Sequence, residues 1–234
     1  MKPINSNLVS RVTAIIFIAF LCGPVKAMPE NRAPSREYDF RNAALGMTLT
    51  QFRTGAFPDA DRDKKAKVFC SSDKVSNASG IWFDLDSESA VGVIECKWFT
   101  PDYFHSWREA DLSLGATGIA KWARYKFVPD PHDRIVRLYS IVVAGYPRDA
   151  VNVMDGLRGK FGSPTRIARD VVQNAMGAKF DHTVATWVNP LSTILFESPW
   201  DDIDTMGIFY YESRLSAYVE HSKQKAKGSN ASKM

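Results

Sequence analysis

"GYPRDAVNVMDGLRGKFGSP", residues 145–164, decides how the rest of the chain is divided. Pro147 suits the first helical position, where its missing N–H costs nothing. Asp149 then sets a negative charge in the first turn, favourable against the helix dipole. Ala150, Met154, Leu157 and Phe161 recur at helical spacing and form one apolar stripe. Gly162 and Pro164 end the helix. Gly156 and Gly159 inside it each cost up to about 1 kcal/mol relative to alanine, and close approach of the helix to a sheet would account for them.

This helix separates two sets of strands. Before it lie the β-branched and aromatic runs 91–99, 118–128 and 133–144, with the hairpin signal "PDPHD" at 129–133. After it lie 182–188, 192–198 and 206–213, with "NPL" as a tight turn between the first two. Thr183, Ala185 and Trp187 alternate with Val184, Thr186 and Val188. A last helix is expected from Ser213 to His221, making contact through Leu215 and Tyr218 or Val219.

A short helix at 49–54 opens the first set. Thr48 as N-cap and Gln51 at N3 complete a capping box, and Met47 and Phe52 occupy the two positions of a hydrophobic staple. Gly55 follows as a residue free to take positive φ, and Pro58 blocks continuation. A helix followed by strands, twice over, without β–α alternation, predicts an α+β fold. Its two successive helix-plus-antiparallel-sheet units are residues 38–144 and 145–222, packed as one body. Both run glycine, helix start, helix, glycine, proline, which leaves an internal duplication open.

The N-terminus carries an address. Lys2 and Arg11 precede the apolar run Ala14–Leu21, and Val25-Lys26-Ala27 supplies the small residues of a cleavage site, so residues 1–27 read as a signal peptide. The run is shorter than the roughly 20 residues a membrane span needs. No second apolar run in the sequence is long enough to cross. A periplasmic or secreted location follows. Residues 28–37 form a polar leader, and 223–234 read as a disordered basic tail.

Of 30 basic and 26 acidic residues, the signal holds three basic and none acidic, so the remainder carries +1. Several of its lysines crowd the tail. A clustered positive footprint for nucleic acid is therefore missing from the body. Cys22 leaves with the signal. Cys70 and Cys96 remain as an even pair in an exported chain, for which a disulfide is the default.

Chemistry is sparse. Asp59, Asp61 and Asp63 mimic the start of a calcium loop, but Lys64 and Cys70 stand where glycine and glutamate are required. The glycines 156, 159 and 162 have the wrong spacing for a dinucleotide fingerprint. The histidines, His105, His132, His182 and His221, are isolated, so no metal or cofactor is expected. The densest candidate is "KWFTPDYFHSWREAD", 97–111, where Trp98, Tyr103, His105 and Trp107 are candidate contacts for an envelope protein, peptide or glycan. The competing reading places these aromatics on the core beside Cys96.

A resemblance rests on Phe40, Arg41, Gly46, Met47, Tyr125, Phe127, Arg137, Leu138, Lys160, Gly162, Pro164 and Trp187. Together with the cysteine pair, they give a pattern that resembles a broad group of exported proteobacterial proteins, most without assigned function. The order of helix and antiparallel strands more distantly resembles the BamE and β-lactamase-inhibitor type of domain. Those are binding or scaffolding modules, so the resemblance implies a non-enzymatic envelope role. Two alternatives stay open. One is a small hydrolase built on His105 or His182 with a carboxylate, and the other is a peripheral membrane protein held by the lysine tail.

Overall fold

The strand expected to close the first unit lies instead near the middle of a single sheet. The computed structural model describes residues 37–74, 80–84, 88–103, 106–115, 118–173 and 176–231. The signal segment, the leader up to residue 36, Phe104, His105 and the last three residues of the tail lie outside these. The chain opens with a two-residue hairpin, β1 (Asp39–Phe40) and β2 (Ala43–Ala44), then helix α1 (Leu49–Thr54). Next come β3 (Lys67–Cys70), β4 (Ile94–Pro101), β5 (Trp107–Glu109) and a small pair, β6 (Ser113–Leu114) and β7 (Gly118–Ile119). The long strands β8 (Trp122–Pro129) and β9 (Val136–Gly145) lead through a 3-10 turn into helix α2 (Ala150–Phe161). The chain then runs through β10 (Arg166–Gln173), β11 (Lys179–Val188), β12 (Ser192–Ser198) and β13 (Met206–Glu212) to helix α3 (Ser213–Ala231).

Nine of these strands form one antiparallel sheet in the order β10, β11, β12, β13, β9, β8, β4, β3, with β5 also on β4. The expectation of two helix-plus-sheet units is therefore wrong. The seam is the pair β9–β13, where Ile141 faces Tyr210 and Val143 faces Ile208. After α2 the chain enters at the far edge, then builds inward by hairpins until β13 meets the free side of β9. Two separate sheets would have left both of these apolar strands as unpaired edges, which folded proteins avoid. The predominance of strand over helix makes this a mostly β protein rather than a balanced α+β one.

One face of the sheet carries the main core. Cys96, Tyr125, Ile141, Ile208, Phe196 and Ala185, one from each of six strands, are all buried there. The N-terminal segment and α2 cover it. The expected capping box at α1 is present: Gln51 N–H donates to Thr48 Oγ1 at 3.2 Å, and Thr48 N–H donates to Gln51 Oε1 at 2.8 Å. Phe52 drives into Tyr125 and Phe127, with ring centroids 4.6 and 5.3 Å away. Gly55 departs from expectation, since its backbone is extended (φ −69°, ψ 153°) and not left-handed. The glycine that does need positive φ is Gly46 (φ 80°). Its N–H donates to Leu138 O at 2.8 Å while Leu138 N–H donates to Met47 O at 2.9 Å, so the segment before α1 docks on β9.

Phe40 and Arg41, which have no local role in a helix cap, act at long range. Phe40 is buried against Tyr210, 5.9 Å between centroids. Arg41 donates from Nε and Nη2 to Ser113 O at 3.1 and 2.5 Å. Asp59, the first aspartate of the would-be calcium loop, accepts from Ser113 N–H at 2.6 Å and lies 3.7 Å from Arg41. That aspartate is thus a structural tie.

The opposite face is covered in part by α3. A one-residue register shift at Lys126/Phe127 makes Tyr139 an extra residue. Leu138 can then face the main core while Tyr139 joins Val93, Val128, Leu215 and Val219 in a second cluster. Arg214 clamps the start of α3 with two bonds to Asp130, at 2.9 and 2.6 Å. Those bonds, from a guanidinium on an otherwise buried carboxylate, hold Asp130 down at a pKa of about 2. The helix does not stop at His221 but continues to Ala231, into the segment expected to be a disordered tail. Lys223 explains part of the extension: its Nζ lies 2.9 Å from Glu220 and 3.5 Å from Glu88 in the sheet body. No helix among the described residues is long and apolar enough to cross a membrane.

Cys70 and Cys96 are directly opposed on β3 and β4, and they form a fully buried disulfide. Closing a 26-residue loop stabilises the chain by about 3 kcal/mol in the loop-entropy picture.

Candidate functional site

Side chains alternate across a strand, so each residue of β10 to β12 is assigned a face by its register. Ile167, Arg169 and Val171 of β10 share the core face with Ala185, Thr183 and Asp181 of β11, their direct partners. Beyond Ala185 this face leaves the core. α2 buries only Val153, Met154 and Leu157 and does not reach the sheet edge. The result is a cleft of about 430 Å³ between α2 and β10–β12, floored by Phe196 and Thr183 and closed at one end by Pro199 and Ile203.

The cleft walls are apolar and exposed. Val151 on α2 is 72 % exposed and Ile167 on β10 is 39 % exposed, while Val171, on the same face of β10 beside the cleft, is 58 % exposed. Their polar neighbours are few. Arg158 is held by Asp155, one helical turn away, at 3.3 Å. Asp181 contributes a second carboxylate. The Arg169 side chain makes no ion pair or hydrogen bond among the described residues and lies on the strand between Ile167 and Val171. An apolar cleft with a few convergent polar groups is the usual form of a binding site.

β10 is also a sheet edge. All eight of its residues pair with β11 from Arg166↔Thr186 to Gln173↔Lys179, and among the described residues nothing pairs with its other side. A row of backbone N–H and C=O groups is therefore available along the open side of the cleft.

The described residues of the expected aromatic site, Trp98, Tyr103 and Trp107, are not brought together. Trp98 is buried in the core between Phe52 and Phe57, at 5.8 and 5.2 Å. Trp107 lies on β5 opposite Pro101, on the other face of the sheet, with its ring 4.9 Å from Phe69. Tyr103 is 93 % exposed at the turn between β4 and β5. His105 lies outside the described residues. Strand alternation divides the two tryptophans between faces, so the segment 97–111 does not present them together.

His182 does come within reach of carboxylates, on the face opposite the cleft. Its Nδ1 is 2.6 Å from Asp170 of β10 and its Nε2 is 3.1 Å from Glu197 of β12. Partial burial works against the charged ring, but the bonds to Asp170 and Glu197 outweigh it and raise its pKa. With a carboxylate on each nitrogen, neither is free to exchange a proton with a substrate. The arrangement is a clamp across three strands.

The expectations for this region overlooked β10 altogether. "RIARDVVQ" mixes charge and apolar residues without a clean period of two, because an edge strand has little to bury. The available signal was its position: a β-branched stretch directly after a helix stop at Gly162–Pro164. No known protein family, curated protein or solved structure matches the chain.

Proposed function

We propose that this is an exported, non-enzymatic binding protein of the cell envelope, and that the cleft between α2 and β10–β12 is its ligand site. The supporting observation is the cleft itself: two branched apolar side chains, Val151 and Ile167, stand partly in solvent beside an arginine with no side-chain partner among the described residues, at the β10 edge of the sheet. Exposed apolar surface of this kind marks an interaction site when it is contiguous and rimmed by polar groups. The signal-like N-terminus and the resemblance to envelope binding modules point the same way. The histidine clamp supports the non-enzymatic reading, since its nitrogens are engaged and it faces away from the cleft.

A photoreactive phenylalanine analogue placed at Val151 tests this in intact cells. A discrete envelope adduct is expected from Val151, absent when the analogue is at Ile135 in the β8–β9 turn and lost when Ile167→Glu is added. Identical adducts from both positions, or none from Val151, would remove the reading.

A further inference from the structure

We infer that the ligand is an extended peptide segment of a partner protein, added as a tenth strand to the free edge of β10, with an acidic residue set opposite Arg169. This rests on the cleft being the binding site. Three features coincide on one strand. β10 offers eight residues of unpaired edge. Its residues on the cleft side of the sheet read apolar, basic, apolar: Ile167 and Arg169 line the cleft and Val171 continues the same face beside it. The adjoining cleft has room, about 430 Å³, for side chains that reach past the edge toward α2. Strand addition draws affinity from main-chain hydrogen bonds and specificity from alternate side chains. The complementary pattern is therefore apolar-x-acidic-x-apolar, in which the x residues lie on the other face beside Ala168 and Asp170.

A second copy of this chain fits the same edge poorly. A two-fold axis normal to the sheet pairs β10 with β10 antiparallel and keeps each residue on its own face. Only registers that set odd against odd and even against even positions are then allowed. The two with the greatest overlap centre Arg169 on Arg169 or Asp170 on Asp170. Like charges directly opposite destabilise a strand pair. The edge is thus charged against self-association yet open to a strand carrying the opposite charge at its centre.

The test uses the synthetic peptide acetyl-Thr-Val-Thr-Glu-Thr-Val-Thr-amide and its counterpart with lysine in place of glutamate. Binding to the full exported chain is followed by fluorescence anisotropy. The glutamate peptide is expected to bind about five- to tenfold more tightly than the lysine peptide, and Arg169→Glu should reverse that order. Arg169 is exposed and unpaired, so the variant folds like the parent. Two further peptides carry N-methyl groups on the odd or on the even backbone nitrogens. One set should abolish binding and the other leave it within about twofold, because an added strand turns only alternate N–H groups toward its neighbour.

Equal binding of the two charge forms, or equal tolerance of both N-methylated sets, would overturn the inference. So would a concentration-dependent dimer that Arg169→Glu alters, since it would assign the edge to a second copy. If the Val151 adduct forms but no peptide binds, the strand-addition inference fails alone. If the adduct is also missing, the binding reading fails with it.

Discussion

The two ends of the sheet solve the same problem in opposite ways. At the β3–β4 end the edge strand is four residues long and stapled to its neighbour. Cys70 and Cys96 join the last two strands, and Lys97 is 1 % exposed beneath the ring of Trp82, its Nζ 3.7 Å from the ring centroid. That ammonium bonds Glu109 at 2.7 Å and lies 3.6 Å from Glu95, whose carboxylate is fully buried with neither oxygen in a full hydrogen bond. Burial pushes the Glu95 pKa up, against the pull of Lys97, Arg124 and Lys126. At the β10 end the edge is eight residues long, exposed, and fastened across its outer face by a histidine clamp. A disulfide and a buried ion pair mark the short end. A long unpaired edge and exposed apolar side chains mark the other.

The short end is the more sensitive of the two to substitution. Lys97→Met leaves Glu95 as a buried charge without its nearest cation, and a loss of about 3–5 kcal/mol is expected from urea denaturation. Adding Glu95→Gln should recover most of it, because the cost lies in the unpaired charge and not in the missing ammonium. A double variant as unstable as the single one would show that the ion pair itself holds this end.

The open end responds in the other direction. Gly156 and Gly159 were expected to let α2 approach the sheet closely, but an added Cβ at either would meet nothing within 4 Å. Alanine at both should therefore stabilise the protein by about 1–2 kcal/mol, read as a raised thermal midpoint. A lowered midpoint would mean that α2 moves against the sheet, and that the cleft closes.

The smallest effect is the one that titrates. The pKa of His182 is raised in the folded chain, so its clamp is fully present below the unfolded value near ~6.5 and is lost as pH rises through the folded value. Asp170 is mostly exposed, so solvent screens the gain to a fraction of a kcal/mol. The stability gap between the parent and His182→Gln should be widest near about pH 5.5 and narrow toward about pH 8.5. Amide exchange along β10 should quicken over the same interval in the parent. A gap that widens with pH would contradict the clamp.

Legibility in the sequence followed locality. The Thr48–Gln51 box, the Pro147 helix start, the strands β9, β11, β12 and β13, and the cysteine pair were all readable, because capping, alternation and redox context act over a few residues. The binding candidates were not. Trp98 and Trp107 are nine positions apart in one aromatic-rich segment, yet two strands and the turn between them place them on opposite faces. β10 carries the open edge and left almost no apolar signal, since exposure is what removes the pattern that reveals a strand.

By itself the sequence determined the strongly patterned elements: where helices begin, which apolar runs are extended, and that Cys70 and Cys96 are candidates to pair. Tertiary structure decided what those elements become. The union of β9 with β13 turned two expected sheets into one, and it carried β10 to the far edge beside α2. Pairing between strands some 65 residues apart is a choice among many partners of similar apolar character. It is settled by burying both faces and pairing all but the outermost edges at once, a balance that no local stretch contains.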